Sequence, residues 1–286
     1  MSDGLPHRWD LLLRYRFIEC IALWEGRLTT RHLVETFGIG RQQASKDINL
    51  YNREVAPGNL RYDKFLKGYE PDVGFQPNVT LGRAEEYLQL LANRSELHRT
   101  FSSVALPQGH TEVLEPPVRP VSPGLLRPLL QAAREQQRIE VDYVSLNNPD
   151  REGRIIAPHT LVWTGLRWHV RGWCEKNQGF RDFVLSRFRG EPELLGPSSQ
   201  HDDQDTDWHT HVAIRLEPDP RLSPDQRQVV ATDYGMQDGH LTLPVRARLA
   251  TYLLQLLNIQ TGDPQPDPRA QQVIIANRAE IEPWLF

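Results

Sequence analysis

Hydrophobic residues in the first hundred positions recur at three- and four-residue spacing, a pattern typical of amphipathic helices. Between these stripes stand glycine, proline and capping threonine residues, which end or begin helices. The elements predicted in chain order are a helix over 9–24 ended by Gly26, a helix capped by Thr29 or Thr30, a Gly38-Ile39-Gly40 turn, a helix over 41–55 stopped by Pro57-Gly58, a hairpin over 60–69, and helices over 80–92 and 95–101.

From residue 139 onward the pattern changes to alternation with period two, which predicts strands. A helix over 124–137 precedes them. Five short strands in about fifty residues favour a small SH3-like or Sm-like β-barrel. The predicted strands cover 139–145, 154–158, 160–164, 167–173 and 181–185.

The last eighty residues mix both patterns and predict a small α/β unit. Its apolar helix carries Leu249, Leu253 and Leu256 on one stripe, which makes this unit the candidate for self-association. The predicted elements are strands over 212–216, 241–245 and 273–276, helices over 223–230 and 247–257, and an apolar tail over 281–286.

Two segments have the composition of linkers. Residues 107–123 are rich in proline, which favours a stiff, extended connector, and residues 197–207 are rich in Ser, Gln and Asp. The sequence therefore predicts an α+β multidomain protein. Its domains are a winged helix-turn-helix over 1–78, a helical and Pro-rich linker over 79–121, a barrel over 122–196 and an α/β dimerisation extension over 208–286.

Composition narrows the class of protein. The 286 residues are 39% hydrophobic, and no apolar run approaches the length that a membrane span needs. Charged residues throughout the first thirty positions exclude an apolar leader segment, and two cysteines exclude a disulfide scaffold. A cytoplasmic protein without cofactors or metals is expected.

The net charge of −4 is unevenly distributed. Residues 1–70 carry 11 Lys and Arg against 9 Asp and Glu, whereas residues 196–286 carry 7 against 13. Because salt screens charges over about 8 Å, a positive surface near the front can act independently of the acidic end. The charge balance is therefore compatible with a nucleic-acid partner.

The two helices joined by a three-residue glycine turn are typical of a helix-turn-helix, whose second helix enters the major groove. Ala44 is small and lets these helices approach, and the alternative is a three-helix bundle with an ordinary solvated face. The opposite side of the helix and the basic hairpin behind it carry side chains suited to bases and phosphates. The candidate DNA-binding residues are Arg41, Gln42, Gln43, Ser45, Lys46, Asn49 and Arg53 of the helix, and Arg61, Lys64 and Lys67 of the hairpin, or wing.

Four segments of the middle domain together resemble the WYL domain. They are Tyr143-Val144-Ser145, Pro158-His159-Thr160-Leu161-Val162, Arg167-Trp168-His169-Val170-Arg171-Gly172-Trp173 and Phe183-Val184-Leu185-Ser186-Arg187-Phe188. The eponymous Trp-Tyr-Leu triplet appears as Trp168-His169-Val170. Nearly the whole chain is similar to WYL-domain regulators of bacteria, especially the repressors beside phage-defence operons (the BrxR and CapW group).

This resemblance implies a repressor of a neighbouring operon, a homodimer on an inverted-repeat double-stranded operator, and a ligand groove on the barrel. The groove residues carried over by motif are Tyr143, Ser145, His159, Arg171 and Arg187. Guanidinium, hydroxyl and imidazole groups suit a nucleotide or a nucleic-acid fragment. Strand parity adds His169, because a barrel this small is expected to leave His169 and Arg171 facing solvent, a groove or an anion.

Two other functions stay open at this point. An activator has the same fold, and the sequence does not fix the sign of regulation. A metal-dependent nuclease is suggested by an acidic, His-containing stretch, although a solvated acidic linker explains it equally because no ligand geometry is fixed. That stretch contains Asp202, Asp203, Asp205, Asp207, His209 and His211.

Overall fold

The computed structural model describes residues 8–100, 112–114, 116–147, 149 and 152–285, and for residues 93–100 it describes the backbone alone. The chain divides into two compact units, residues 1–115 and residues 116–286. In the described ranges no helix combines the length and apolar character required to cross a membrane.

Unit 1 is a winged helix-turn-helix built around one apolar core. Gly26 and Gly38 end the first two helices in the left-handed conformation that glycine adopts without strain, as the sequence predicts. Tyr15, Leu33 and Ile48 pack together in the core. The elements are α1 (Trp9–Glu25), α2 (Thr30–Phe37), α3 (Arg41–Leu50), β1 (Leu60–Asp63), β2 (Gly68–Pro71) and α4 (Ala84–Thr100).

A single wide turn of π-helix, Tyr51–Val55, extends α3. The amide of Ala56 donates to the carbonyl of Tyr51 at 2.9 Å, five residues earlier, so this turn holds one more residue than an α-helical turn. Tyr51 and Val55 both lie in the core as a result.

The end of unit 1 differs from the prediction. One continuous helix, α4, replaces the two helices predicted over 80–92 and 95–101. Part of the proline-rich connector predicted over 107–123, namely residues 107–111 and 115, lies outside the described residues.

Unit 2 begins with a helix packed on a five-stranded antiparallel sheet. Ser122 caps α5 by accepting a hydrogen bond from the amide of Leu125, and Pro123 occupies the first turn. Leu125 and Leu129 of α5 share a core with Ile139 and Val170 of the sheet. The elements are α5 (Pro123–Arg134), β3 (Gln137–Tyr143), β4 (Glu152–Trp163), β5 (Trp168–Cys174), β6 (Gly179–Val184) and β7 (Phe188–Pro197), in the strand order β6-β5-β4-β3-β7.

The number of strands agrees with the prediction, but two assignments were wrong. The strands predicted over 154–158 and 160–164 are one strand, β4, because His159 is an extra residue in its pairing with β5. This bulge makes a single strand look interrupted. The strand β7 was missed because its glycines and charges obscure the alternation. At the bulge, a Cβ on Gly172 would lie 2.5 Å from the carbonyl oxygen of Ala157, so the close approach requires glycine.

The sheet does not close into a complete barrel. In the described part of unit 2, β6 and β7 are its two edges and no ladder joins them. Mixed α/β architecture is therefore established, while the SH3-like or Sm-like barrel stays a prediction.

The last part of unit 2 is a three-stranded antiparallel sheet, in the order β10-β8-β9, with helices against it. Ser223 caps α7. Leu253 packs against the core of this subdomain, and a Cβ on Gly165 would meet Leu256, so the predicted self-association stripe is partly used internally. The elements are α6 (Thr206–His209), β8 (His211–Pro218), α7 (Pro224–Asp233), β9 (Leu241–Arg246), α8 (Ala250–Leu256), β10 (Val273–Ile275) and α9 (Arg278–Ile281).

Candidate functional site

The helix α3 is anchored to α1 by a buried ion pair. Nε of Arg14 lies 2.7 Å from Oδ2 of Asp47, whose carboxylate is almost fully buried. Gln43 donates a 2.6 Å hydrogen bond to the other oxygen of Asp47. Ala44 is completely buried on the side of α3 that faces α2. Because the pairing partners are buried and charged, the rotation of α3 about its axis is fixed.

The outer face of α3 carries the predicted DNA-binding side chains. Ser45 is half-buried, and Gln43 is partly engaged with Asp47. The exposed residues of this face are Arg41, Gln42, Gln43, Lys46, Asn49 and Arg53. Among the side chains that the structure describes, neither Arg41 nor Lys46 has an ion-pair partner, so their charges are available to phosphates.

The wing lies beside this helix, since the hydroxyl of Tyr69 reaches Oδ1 of Asn49 at 3.3 Å. Arg61 pairs with Glu70 across the hairpin, which compensates its charge. Lys64 and Lys67 are exposed, and Phe65 at the tip is 97% exposed. The wing therefore presents two lysines without an ion-pair partner among the described residues, and two exposed aromatic rings, those of Phe65 and Tyr62.

A cavity of about 730 Å³ extends the basic surface beyond the residues that the sequence singled out. It lies between the start of α2, the start of α3 and the wing. Arg27 and Arg31 line it together with Arg41 and Lys67, and Glu35 pairs with Arg31. Sequence reasoning missed Arg27 and Arg31, because neither belongs to α3 or to the hairpin.

A buried carboxylate in unit 1 was also missed. Glu19 of α1 is fully buried and accepts hydrogen bonds from the amides of Asn78 at 2.8 Å and Thr80 at 2.8 Å. The hydroxyls of Tyr51 and Thr80 add two bonds of 2.9 Å each. Glu19 thus fixes the segment after the wing to the helices that position it.

On the sheet of unit 2, Arg171 and His169 are buried, whereas the sequence predicts that they face solvent, a groove or an anion. Arg171 is 1% exposed, and Asp205 holds its guanidinium through Nε at 2.6 Å and Nη2 at 2.8 Å. Asp182 binds Nη1 at 3.0 Å. Residues 202–209 pack over this face, which the sequence did not predict, and Asp205 is the anion that Arg171 faces.

Asp205 belongs to a stretch for which the sequence predicts a solvated linker. The structure shows instead that this stretch is folded. This stretch forms a short 3₁₀ turn, Asp202–Gln204, followed by α6, and Asp205 is buried. Burial alone would raise the pKa of Asp205, but hydrogen bonds from His159 and Arg171 outweigh it and lower the pKa to about 2. Among the described residues, no group of three or more His, Cys, Asp or Glu side chains is arranged to hold a metal ion.

The predicted groove residues do not all lie at one place. His159, at the bulge of β4, lies 3.1 Å from Asp205 through Nε2 and therefore joins Arg171. His169 is buried, and its ring lies 5.0 Å from that of Tyr252. Burial lowers the pKa of His169, which keeps the imidazole neutral.

Tyr143 is not with Arg171. It packs between Phe183 and Phe188 in the core below the sheet, and its hydroxyl accepts a 3.0 Å hydrogen bond from the amide of Val184. Because Phe183 and Asp182 are neighbours on β6, they point to opposite faces, and Arg171 lies on the face of Asp182.

Ser145 and Arg187 are half-buried in neighbouring segments, since the amide of Val144 donates to the carbonyl of Arg187 at 3.1 Å. The structure thus brings the side chains of His159 and Arg171 together on Asp205, whereas Ser145 and Arg187 are related by neighbouring backbone segments.

Three family models match successive parts of the chain. The BrxR transcriptional regulator winged helix-turn-helix domain matches residues 10–93. The WYL domain matches residues 124–190. The BrxR transcriptional regulator C-terminal dimerization domain matches residues 211–281.

Several relatives are similar over nearly their full length, each described as the DNA-binding transcriptional repressor CapW. That of Stenotrophomonas maltophilia is 32% identical over 99% of this chain and 95% of its own. Those of Escherichia coli (strain KTE188) and Pseudomonas aeruginosa are 34% and 33% identical over 96% of this chain, covering 91% and 92% of their own. The solved structure of proteasome accessory factor B/C of Arthrobacter aurescens is 19% identical, with a TM-score of 0.26 over 99% of this chain and 50% of its own, too low to indicate a shared arrangement.

Proposed function

The chain belongs to the family of the CapW and BrxR transcriptional regulators, and from this we propose that it is a DNA-binding transcriptional repressor, without enzymatic activity. The observation that carries the proposal is the exposed polar and basic face of α3, whose rotation is fixed by the buried Arg14–Asp47 pair. Gln42 and Asn49 are suited to base edges, and Lys46 to guanine or phosphate.

The protein acts on DNA as a homodimer through its C-terminal subdomain. A family model described as a C-terminal dimerization domain matches residues 211–281, and one recognition helix contacts only one half-site. Two copies related by a two-fold axis require an operator that is an inverted repeat. We propose that the controlled genes form a neighbouring phage-defence operon. We also propose that the protein acts in the cytoplasm.

A ligand at the WYL domain changes the affinity for the operator. An anionic, nucleotide-like molecule is supported by the guanidinium and imidazole groups of Arg171 and His159, and by Ser145 and Arg187 nearby in the same domain. A ligand does this only if it binds the DNA-competent and DNA-incompetent forms unequally, and a typical coupling changes affinity 5- to 150-fold. We also propose that the five-stranded sheet closes into an SH3-like barrel.

Footprinting on the DNA upstream of the protein's own gene tests the proposal. We expect protection of an inverted repeat, and loss of protection when Gln42, Lys46 and Asn49 are together replaced by alanine. A matched control replaces Arg127, Gln131 and Arg134, all exposed on α5 outside the proposed dimerisation subdomain, and keeps the footprint. Unchanged operator affinity of the α3 variant would refute the assignment of α3 as the DNA-contacting helix.

Two further measurements separate the alternatives. A reporter under the operator rises on deletion of the gene if the protein represses, and falls if it activates. A metal-dependent nuclease would cleave the duplex and stop on addition of a chelator, whereas we expect binding that survives the chelator without cleavage.

A further inference from the structure

The contact between Arg171 and Asp205 has the form of anion recognition. Both oxygens of the carboxylate are bound by one guanidinium edge, at 2.6 Å to Nε and 2.8 Å to Nη2. This two-point geometry is the one by which arginine also holds a phosphate. Both partners are almost fully buried.

The remaining donors complete a small oxyanion cradle. Nε2 of His159 lies 3.1 Å from Oδ2 of Asp205, and the amide of Trp208 donates to Oδ1 at 3.2 Å. Each oxygen thus has two partners, contributed by β4, by β5 and by the backbone of α6. Such a set binds an oxyanion by charge and by shape together.

While Asp205 occupies this cradle, the negative charges already present oppose the binding of an added anion. Asp182 already binds the third nitrogen of Arg171 at 3.0 Å, and Nε of Arg248 lies 3.5 Å from Asp182. An external phosphate approaching this pair would meet two carboxylates. Removal of Asp205 leaves Arg171, His159 and an amide facing the space that its carboxylate had filled.

We propose that this cradle is the anion site of the protein, that Asp205 is its internal occupant, and that a phosphate-bearing ligand enters by displacing Asp205. The inference deepens the proposed function, on which its link to DNA binding rests. A phosphate monoester provides more negative charge and one more terminal oxygen than the carboxylate, which favours the exchange. The displaced residue lies in a short connector, a 3₁₀ turn and the four-residue α6, that leads directly into β8.

The exchange connects the site to the C-terminal subdomain. Arg246 of β9 stacks over the ring of Trp208 at 4.8 Å and donates a 2.7 Å hydrogen bond to its carbonyl. Displacement of Asp205 removes the side chain that caps α6 and thereby loosens Trp208 against Arg246. The dimerisation subdomain is then the part of the protein that responds to the ligand.

Calorimetry on the full chain tests the site without DNA. The probes are inorganic phosphate, a 5′-nucleoside monophosphate and a 5′-phosphorylated tetranucleotide, which distinguish a free phosphate, a nucleotide and a nucleic-acid fragment as the source. We expect Asp205→Ala to bind at least one probe ten times more tightly than the wild type. Asp203→Ala, an exposed neighbour in the same connector, is the matched control and behaves like the wild type.

Equal affinity of the wild type, Asp203→Ala and Asp205→Ala for every probe would overturn the proposal, as would the absence of binding by a folded Asp205→Ala. If that variant does not fold, hydrogen exchange of the wild type decides. The probe that binds the wild type most tightly should speed exchange of the amides of residues 203–210 at least fivefold, and unchanged rates at saturation refute the displacement. Because these measurements need no operator, they test the anion site independently of the proposed DNA-binding function.

Discussion

The hydroxyl of Tyr51 donates a 2.9 Å hydrogen bond to Oε1 of Glu19, and both side chains are fully buried. Glu19 lies in α1 and Tyr51 begins the wide turn after α3, so the bond joins α1 to the end of α3. Burial, followed by the charge of Glu19, raises the pKa of Tyr51, so that the phenol remains a donor. The same carboxylate holds the backbone of residues 78–80.

Glu19→Gln should destabilise unit 1. The new amide group places a donor against backbone N–H donors, so at least one buried hydrogen-bonding group loses its partner, at a cost of about 1–3 kcal/mol. Urea unfolding followed by tryptophan fluorescence measures this loss. Glu85→Gln, on the exposed side of α4, is the control and should be within about 0.5 kcal/mol of the wild type. Equal stability of both variants would contradict the role assigned to Glu19.

Asn49→Ala should reduce sequence discrimination at one base position of the operator. If its amide contacts a base edge, the loss is about 1–3 kcal/mol at that position, with little change elsewhere. Competition binding against operators with single base changes measures it. Gln131→Ala on α5 should leave every position unaffected, and discrimination that is intact throughout for Asn49→Ala would exclude a base contact.

Lys64→Ala and Arg27→Ala should weaken binding to all DNA sequences alike. Each substitution removes one cation that we expect to lie near the DNA phosphate backbone. The slope of log affinity against log salt concentration should therefore decrease by about one. Arg27 lines the cavity beside the wing, and its effect tests whether the DNA-contacting surface includes that cavity. Lys176→Ala is a suitable control, since Lys176 pairs with Glu152 in unit 2. An unchanged slope for Arg27→Ala would restrict the contact to α3 and the wing.

The Asp205 site should make stability depend on pH in the acid range. Because its pKa in the folded state is lowered to about 2, Asp205 stabilises the fold fully above the ordinary value near 4. That contribution, about 2 kcal/mol, is lost as the pH falls from 4 to 2. Unfolding free energies of the wild type and Asp205→Asn, compared from pH 6 to pH 2, should converge at the acid end. A constant difference across this range would refute the assignment.

The protein should sediment as a dimer. At micromolar concentration the expected mass is about twice 33.0 kDa, because two recognition helices are needed for a two-fold operator. Sedimentation equilibrium measures the mass and footprinting the symmetry of the site. A mass of one chain together with a non-palindromic footprint would refute the dimer.

The helix-turn-helix was predictable from the sequence because its signals are local. Spacing of apolar residues, Gly26 and Gly38 as helix ends and the small Ala44 each act within a few positions, and the structure has each of them as expected. The hairpin predicted over 60–69 is also present, with β2 beginning at Gly68.

The environment of Arg171 was not predictable in the same way. Its partner Asp205 is 34 residues away, in a stretch whose composition is typical of a solvated linker. No periodicity connects the two, and their pairing depends on how the connector folds back on the sheet. The spacing of Asp205 before Trp208, an N-cap followed by a buried aromatic, is the one local signal that marked this stretch as structured.

The wide turn at Tyr51–Val55 bears on how chain length can vary in this protein. Its hydrogen bond spans five residues, from Ala56 back to Tyr51, so the turn contains one residue more than an α-helical turn. The extra residue lies on the solvent side of the turn, where Arg53 and Glu54 are exposed. Deleting one of these two would convert the turn to ordinary α-helix and keep Tyr51 and Val55 on one face, now three positions apart. Elsewhere in α3 a deletion would rotate the whole outer face by about 100°. The turn is therefore the position at which this helix tolerates an evolutionary change of length without rotating the outer face that we propose contacts DNA.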